Sequence, residues 1–413
     1  MVLLNNETTY ALTVNNEDEG SLFHWKKENM TKEELNDYEK EVSIIKNTDF
    51  IFQNIRERNL NLTDINFDGK TLWLEDNILG FHKSKIQPTV EEVDTFLIKI
   101  RNQMNEKFDG SNNRKMNVVL GFLRINAVHK KNNTSGGHSF SIRIARPRFV
   151  VSHLKDLFID SPNEMKEDLA KLLSLIVETK VPIVLSGETG SGKTETQKML
   201  IGTVLGKDIP THQVIVVEDT PDSHIKSLFG DDCVKSWLLD ENFTIEEAVE
   251  EGMRNNPDIF MIAEIRGSGA GAALNAAKTG HGMVVTGHSP GALQTPSRLM
   301  PLIRENPQYA NYSDALLGKE VAEYFPVCIH MVKERYEIDG EMKTVRYPSQ
   351  IAQITGYSVS EGFVGDYLYK REYVYDAKIG EYKKEEEINS LSETLKERIA
   401  EKRLIHLLPK QFH

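Results

Sequence analysis

Between positions 187 and 194 the chain reads Gly187-Glu188-Thr189-Gly190-Ser191-Gly192-Lys193-Thr194, a GxxxxGK pattern closed by a threonine. Glycines at this density let backbone N–H groups converge on one point, and a helix starting directly behind them adds unpaired N–H groups and a dipole that favours an anion. The flanks supply that setting. Val181-Pro182-Ile183-Val184-Leu185-Ser186 is a short apolar run with β-branched residues, and Glu195 to Ile201 suits a helix. Strand, loop and helix in this order make a phosphate-binding loop, and the competing reading, a glycine-rich turn matching by accident, does not supply the flanks. The loop, taken as residues 187–195 with Glu195 included, is the candidate nucleotide-binding segment. Lys193 is expected to reach the terminal phosphates and Thr194 to offer its hydroxyl to Mg²⁺.

At 413 residues the chain has room for two domains with separate cores. Its 50 Lys+Arg against 62 Asp+Glu give a net charge of −12, which removes any global electrostatic attraction to nucleic acid or an anionic membrane. No apolar run approaches bilayer length, and Val118 to Leu123 reads as core strand. The first residues lack the basic and long apolar segments of a signal peptide. Cys233 and Cys328 stand far apart without metal-ligand spacing, so a reducing cytosol is expected.

In chain order, residues 1–47 read as a polar N-terminal extension with a helix over Lys32 to Lys46 carrying Leu35, Tyr38, Val42 and Ile45 on one face. Residues 48–148 read as a small α+β domain. It has a hairpin over 61–74 turning at Asp68-Gly69, a helix over Thr89 to Phe108, strands at Met116–Ile125 and Ser139–Ile144, and a linker at 146–148. Residues 149–335 read as an α/β domain. After the phosphate loop come the strand Gln213–Val217 ending in Glu218-Asp219-Thr220-Pro221-Asp222, and a helix opened by the Thr244/Glu247 capping box. Then follow the strand Ile259–Ala263 ending in Glu264, a small-residue helix over 269–279, and Gly280-His281-Gly282 leading into the strand Met283–Thr286, which ends at Gly287-His288. In an open α/β sheet ligands bind at the carboxyl ends of the strands, so polar groups from four distant stretches converge on one crevice.

Glu264 sits where a Walker-B acid holds Mg²⁺ through water or polarises the nucleophile, and Glu218, Asp219 and Asp222 are a second source of carboxylates. Taken alone, the acidic cluster also reads as an exposed turn, and His281 and His288 as either phosphate contacts or structural histidines.

The order GETGSGKT, VEDTPD, RNNPDIFMIAEIRG and AAKTGHGMVVTGHSPGALQTPSRL resembles the hexameric ATPases of type II and type IV secretion, conjugation and type IV pilus systems. In that family these segments are Walker A, an Asp box, an atypical Walker B ending in Glu, and a His box. The resemblance implies a RecA-like ATPase domain preceded by a small PAS-like α+β domain. It also implies ATP and Mg²⁺ as ligands, catalytic roles for Lys193, Glu264, Asp222, Glu218, His281 and His288, and metal binding by Thr194 and Glu264. Arg124 and Arg143 match family positions whose guanidinium groups reach the nucleotide's phosphates, a task that suits an always-charged planar fork. Arg254, Arg266 and Arg298 fall inside family motifs and also read as ordinary salt-bridge arginines. The expected partners are identical subunits in a homo-hexamer and inner-membrane components of the machine, with no direct nucleic-acid binding. The expected location is the cytoplasm, peripheral to the cytoplasmic membrane.

Departures from the family pattern are Asp222 for a common Glu, Ala263 for a common Gly, and Gly287 for a larger apolar residue. With two isolated cysteines there is no four-cysteine zinc module, which favours the conjugation and type IV secretion branch or its tight-adherence-pilus relatives. Residues 336–413 read as a C-terminal β-hairpin and helical extension. It holds a hairpin signal at Tyr336–Met342, alternating tyrosines at 367, 369, 373 and 375 that pack or stack on bases, and a charge-dense helix from Lys383 to Leu408. Two rival classes stay open on residues alone: a nucleic-acid motor on the same scaffold, and a nucleotide-gated regulatory module.

Overall fold

Alternation of buried apolar and more exposed residues along most of its strands builds the first sheet. The computed structural model describes residues 32–58, 61–145, 147–338 and 341–413. Residues 1–31 of the expected extension, Arg146 of the linker and the turn at Asp339-Gly340 lie outside the described residues. The described residues form two compact units, one made of residues 32–147 with Glu334–Val345, the other of Arg148–Lys333 with Arg346–His413.

The first unit contains α1 (Lys32–Lys46), α2 (Asp49–Arg58), β1 (Leu62–Phe67), β2 (Leu72–Asp76), β3 (Gly80–Lys83), α3 (Val90–Gln103), β4 (Lys115–Leu120), β5 (Leu123–Val128) and β6 (Ser139–Ile144). The strands pair antiparallel in the order β3-β2-β1-β6-β5-β4. One face carries Ile65, Ile125, Ala127, Phe140 and Ile142 into a core shared with Phe50, Phe96, Leu97 and Ile100, while the alternate residues of β4 and β5 are exposed. Burying one such phenylalanine is worth about 1.5–3 kcal/mol. Helix α1 is part of this core rather than a loose extension. Ile44 and Ile45 are buried in it, and the buried Glu41 carboxylate accepts from Phe122 N at 2.8 Å.

Two readings of this unit change. Residues 116–125 are two strands, because Gly121 at φ +57° lets the chain reverse between Leu120 and Leu123 in a two-residue turn. Helix α3 ends at Gln103, five residues short of Phe108, before Asn105 at φ +52°.

The second unit contains α4 (Asn163–Glu178), β7 (Ile183–Gly187), α5 (Lys193–Gly202), β8 (Val214–Glu218), α6 (Ile225–Leu228), β9 (Val234–Leu238), α7 (Ile245–Arg254), β10 (Ile259–Ile262), α8 (Gly269–Lys278), β11 (Gly282–Thr286), α9 (Thr295–Arg304) and α10 (Asp314–Tyr324). It closes with β12 (Val327–Ile338) up to Lys333, β13 (Glu341–Ser358) from Arg346 on, β14 (Gly362–Asp376), β15 (Glu381–Ile388) and α11 (Glu393–Glu401). One nine-stranded sheet runs β15-β14-β13-β12-β7-β11-β10-β8-β9, parallel from β12 to β9. Its central strands are buried at every position and two apolar clusters cover its two faces, as a parallel sheet requires.

The C-terminal residues are not an appendage to this sheet. Strand β12 pairs with the phosphate-loop strand β7 from Val327↔Ile183 to Met331↔Gly187, and Leu395, Ile399 and Phe412 enter the same core as Leu185. The expected helix over 383–408 is a correction: residues 381–388 form β15, and only 393–401 are α-helical. Cross-strand pairing with β14, Arg371↔Glu386 and Tyr373↔Lys384 among others, overrides the helical propensity of the Lys/Glu run.

Candidate functional site

Because β7, β8, β10 and β11 run parallel in register, their carboxyl ends lie along one edge of the sheet, where the phosphate loop, the Glu218–Asp222 cluster, Glu264 and His288 follow them. Gly187 ends β7 at φ +141°, and a Cβ there would stand 2.3 Å from the Met331 carbonyl of β12, so only glycine lets the strands approach this closely. Glu188 and Thr189 are exposed at the tip, and Gly192 at φ +94° opens α5, with Lys193 and Thr194 in its first turn. Lys193 Nζ donates to the Gly187 and Glu188 carbonyls at 2.8 and 2.9 Å. Ser191 Oγ is buried with no hydrogen-bond partner among the described residues, a polar atom suited to an anion's oxygen. Glu195, expected to face the nucleotide, accepts instead from Val150 N and from Lys198 Nζ at 2.9 Å, and Lys198 also donates to the Arg148 carbonyl. It ties the segment entering this unit to α5.

Helix α5 is fixed from behind. The buried Gln197 Nε2 donates to Ile262 O at 2.8 Å and Val284 O at 3.0 Å, joining the loop's helix to β10 and β11. Beyond β10, Glu264 accepts from Arg266 Nη2 at 2.5 Å and meets His288 Nε2 at 3.2 Å. The Arg266 hydrogen bond holds its carboxyl below the usual range against partial burial, with Arg266, His288 and Lys193 adding favourable charge. Arg266 also reaches Asp219 Oδ2 at 3.3 Å. It is therefore a bridge between the acidic cluster and Glu264, while Arg254 pairs locally, with Glu251 one turn away at 2.8 Å.

Glu218 differs from its neighbours. Its buried carboxylate accepts from Ser223 N at 2.9 Å and Ser223 Oγ at 2.8 Å, and burial, with Asp222 and Asp219 adding to it, pushes its pKa up to about 7 against those hydrogen bonds. It holds the 219–223 loop in shape. Asp222 lies half-buried on that loop.

His281 is placed apart from the loop. It precedes β11, at the amino edge of the sheet, while His288 follows β11 at the carboxyl edge. Five strand residues separate the two by about 16 Å or more. His281 Nδ1 lies 2.9 Å from Thr279 Oγ1 and 3.1 Å from Ala276 O, and its ring meets Phe260 edge-on at 5.6 Å. Within the chain it caps a helix and starts a strand, so the reading that sets it beside the phosphate loop is corrected.

Arg124 and Arg143 belong to the first unit. They are directly opposite each other on β5 and β6, both exposed on the face away from that unit's core, and Asp64 is the partner of Arg143 on β1.

Three residues near the loop carry no local sequence signal. His330 on β12 is buried with Nδ1 3.0 Å from Ser186 Oγ, and burial, then Lys193, lowers its pKa. Lys333 on β12 and Arg346 on β13 flank Gly190, and Arg346 Nε donates to the Gly190 carbonyl at 2.7 Å. The available signal was the apolar run Val327-Cys328-Ile329 with Met331-Val332, which reads as one more buried parallel strand. Of the tyrosine series, Tyr369 is buried and Tyr375 is 55% exposed, while buried Arg371 lies 4.2 Å from the Tyr347 ring. Packing accounts for the inner half of that strand.

Residues 81–351 match the family model described as type II/IV secretion system protein. An uncharacterized protein of Bacillus anthracis is 31% identical over 376 residues, 89% of this chain and 79% of that one. Protein VirB11 of Agrobacterium fabrum is 28% identical over 207 residues, 43% of this chain and 58% of the relative, so the match spans little more than half of VirB11. Among solved structures, the ATPase DotB of Yersinia pseudotuberculosis has a TM-score of 0.51 at 17% identity, covering 75% of this chain and 80% of DotB. The pilus retraction motor PilT with bound ADP has a TM-score of 0.50 at 19% identity, covering 72% and 82%. These structural similarities show a common fold, the RecA-like ATPase fold with an N-terminal domain and a C-terminal extension.

Proposed function

The chain belongs to the type II/IV secretion system protein family, and on that premise we propose that it is a Mg²⁺-dependent ATPase that works as a homo-hexameric ring. The ring powers macromolecular transport by a secretion, conjugation or pilus machine, from the cytoplasm and in contact with inner-membrane components. The observation that carries the reading is the convergence of Lys193, Glu264 and His288 on one sheet edge around a glycine loop whose buried Ser191 hydroxyl has no partner among the described residues. Among the described residues no helix is long and apolar enough to cross a membrane.

Each group has a task that its surroundings support. The loop N–H groups and the α5 N-terminus bind the nucleotide's phosphates, and Lys193 exchanges its two carbonyl contacts for phosphate oxygens. The Thr194 hydroxyl and, through water, Glu264 would hold Mg²⁺, which supplies positive charge against the phosphates. Glu264, kept ionised by Arg266, is placed to accept a proton from or orient a water, and His288 keeps that carboxylate aimed. Asp222 is a second candidate for orienting water, with Glu218 shaping its loop. Arg124 and Arg143 are proposed to serve a nucleotide phosphate, supported by their pairing, since two like charges directly opposite each other gain from a shared anion.

Phosphate release in the presence of Mg²⁺ and ATP tests the enzyme. Glu264→Gln is expected to lower kcat about a hundredfold with KM little changed, and a rate equal to wild type would remove the assigned role. Light scattering with a nonhydrolysable analogue tests the ring, and a monomer at micromolar concentration would exclude it.

A further inference from the structure

The hairpin strands that return to the phosphate loop bring it two cations from more than 130 residues away. A Cβ on Gly190 would stand 3.7 Å from Lys333 Nζ, and one on Gly192 would stand 3.7 Å from both Cβ and Cδ of Arg346. Arg346 Nε donates to the Gly190 carbonyl at 2.7 Å. Gly190 at φ +77° and Gly192 at φ +94° occupy conformations in which glycine has the most alternatives. With no Cβ at either glycine to restrict them, the loop's peptide planes are oriented by the hydrogen bonds they make. A trans peptide is planar and its C=O and N–H point in opposite directions. Fixing the Gly190 carbonyl on Arg346 consequently fixes the direction of Ser191 N–H, which points back into the loop and donates to Glu188 O at 3.2 Å. Lys193 Nζ donates to that same Glu188 carbonyl at 2.9 Å.

From this chain of contacts we infer that Arg346 is a positioning residue for nucleotide binding. Through the Gly190–Ser191 peptide it holds the turn that Ser191 N–H closes on the Glu188 carbonyl, the carbonyl Lys193 shares, and so keeps the loop in the shape that receives a polyphosphate, acting from the strand β13 of the same subunit. The inference rests on the ATPase reading and adds to it a residue outside all four motifs. Arginine suits the position because Nε is a directed donor on a planar group that stays charged at any working pH. The ligand class is a nucleoside polyphosphate, and the effect falls on affinity, since ground state and transition state use the same loop donors.

The test uses the full chain, with ATP and Mg²⁺ as probe and melting temperature without nucleotide as the control for folding. Arg346→Ala is expected to raise Kd and KM about tenfold, to leave kcat within about twofold, and to melt with wild type. Arg346→Gln keeps the stem and an N–H donor without the charge, and is expected to bind within about threefold of wild type. An alanine variant that binds as tightly as wild type overturns the inference. So does a glutamine variant as weak as alanine, which would show that charge against the phosphates is what counts. If the alanine variant does not fold, the comparison of Arg346→Gln with Arg346→Lys decides: equal affinity supports positioning, and a tenfold weaker glutamine overturns it. A wild-type chain that binds no nucleotide overturns both this inference and the ATPase reading, whereas normal wild-type binding with an indifferent Arg346 overturns this one alone.

Discussion

At the amino edge of the parallel sheet, Lys180, His212, Asp258 and His281 stand just before β7, β8, β10 and β11. At the carboxyl edge, Glu188, Glu218, Glu264 and His288 stand at or just beyond the ends of the same strands. The amino-edge groups find their partners close by within the chain. Asp258 takes Lys180 Nζ at 2.5 Å and Gln213 N at 2.8 Å, its backbone carbonyl takes Gly282 N at 2.9 Å, and His281 is held by Thr279 and Ala276. Although burial pulls the other way, Lys180 and Gln213 keep the Asp258 carboxyl below its usual range. The carboxyl edge is assembled differently, with three glycines in the left-handed region, the buried Ser191 hydroxyl, and a glutamate held ionised by Arg266. Polar residues that complete their own partners hold strands together, and the buried Ser191 hydroxyl, without a partner among the described residues, is placed to take one from a ligand.

The comparison breaks most directly on stability. Asp258→Ala is expected to cost about 1–2 kcal/mol, discounted for partial exposure, with phosphate release at saturating ATP unchanged once the protein is folded. Denaturant unfolding beside a steady-state assay checks both halves, and a large loss of kcat in the folded variant would make the amino edge functional. The two histidines sharpen the contrast. His288→Ala is expected to lower kcat about tenfold with little change in melting temperature, whereas His281→Ala should cost about 1 kcal/mol of stability and leave kcat within twofold. Equal kinetic losses from both would erase the distinction between edges.

The smallest effect concerns Glu218. Its folded pKa of about 7 lies above the ordinary glutamate value of 4.5, chiefly through burial. The folded state therefore binds the extra proton more readily. The group's contribution to stability is fully present below about 4.5 and is lost as pH rises through about 7. Glu218→Gln, neutral at every pH, should gain in melting temperature relative to wild type between pH 5 and 8, and a flat difference across that range would contradict the burial argument.

Much of this was legible in the sequence because it is local. The phosphate loop announces itself through eight consecutive residues and its flanks, and Glu264 and His288 through their places at the ends of apolar runs. The placement of His281 was also legible, since a residue before a five-residue strand stands at the opposite edge from one after it. Glu195 was not, because its partners Val150 and Lys198 are set by how the entering segment folds back on α5. Arg346 and His330 had no signal near the motifs, since only the pairing of β12 with β7 and of β13 with β12 brings them to the loop. The Lys/Glu run at 383–387 misled for the same reason, its helical propensity being overruled by β14.

The account's central claim is that the carboxyl edge is the nucleotide site and that Lys193 is its anchoring charge. Calorimetric titration of ATP with Mg²⁺ into wild type and Lys193→Ala, both with the same melting temperature without nucleotide, tests it most directly. The account predicts saturable binding by wild type and a loss of affinity of about a hundredfold in the variant, close to 2.7 kcal/mol. Indistinguishable binding by the two proteins would contradict it.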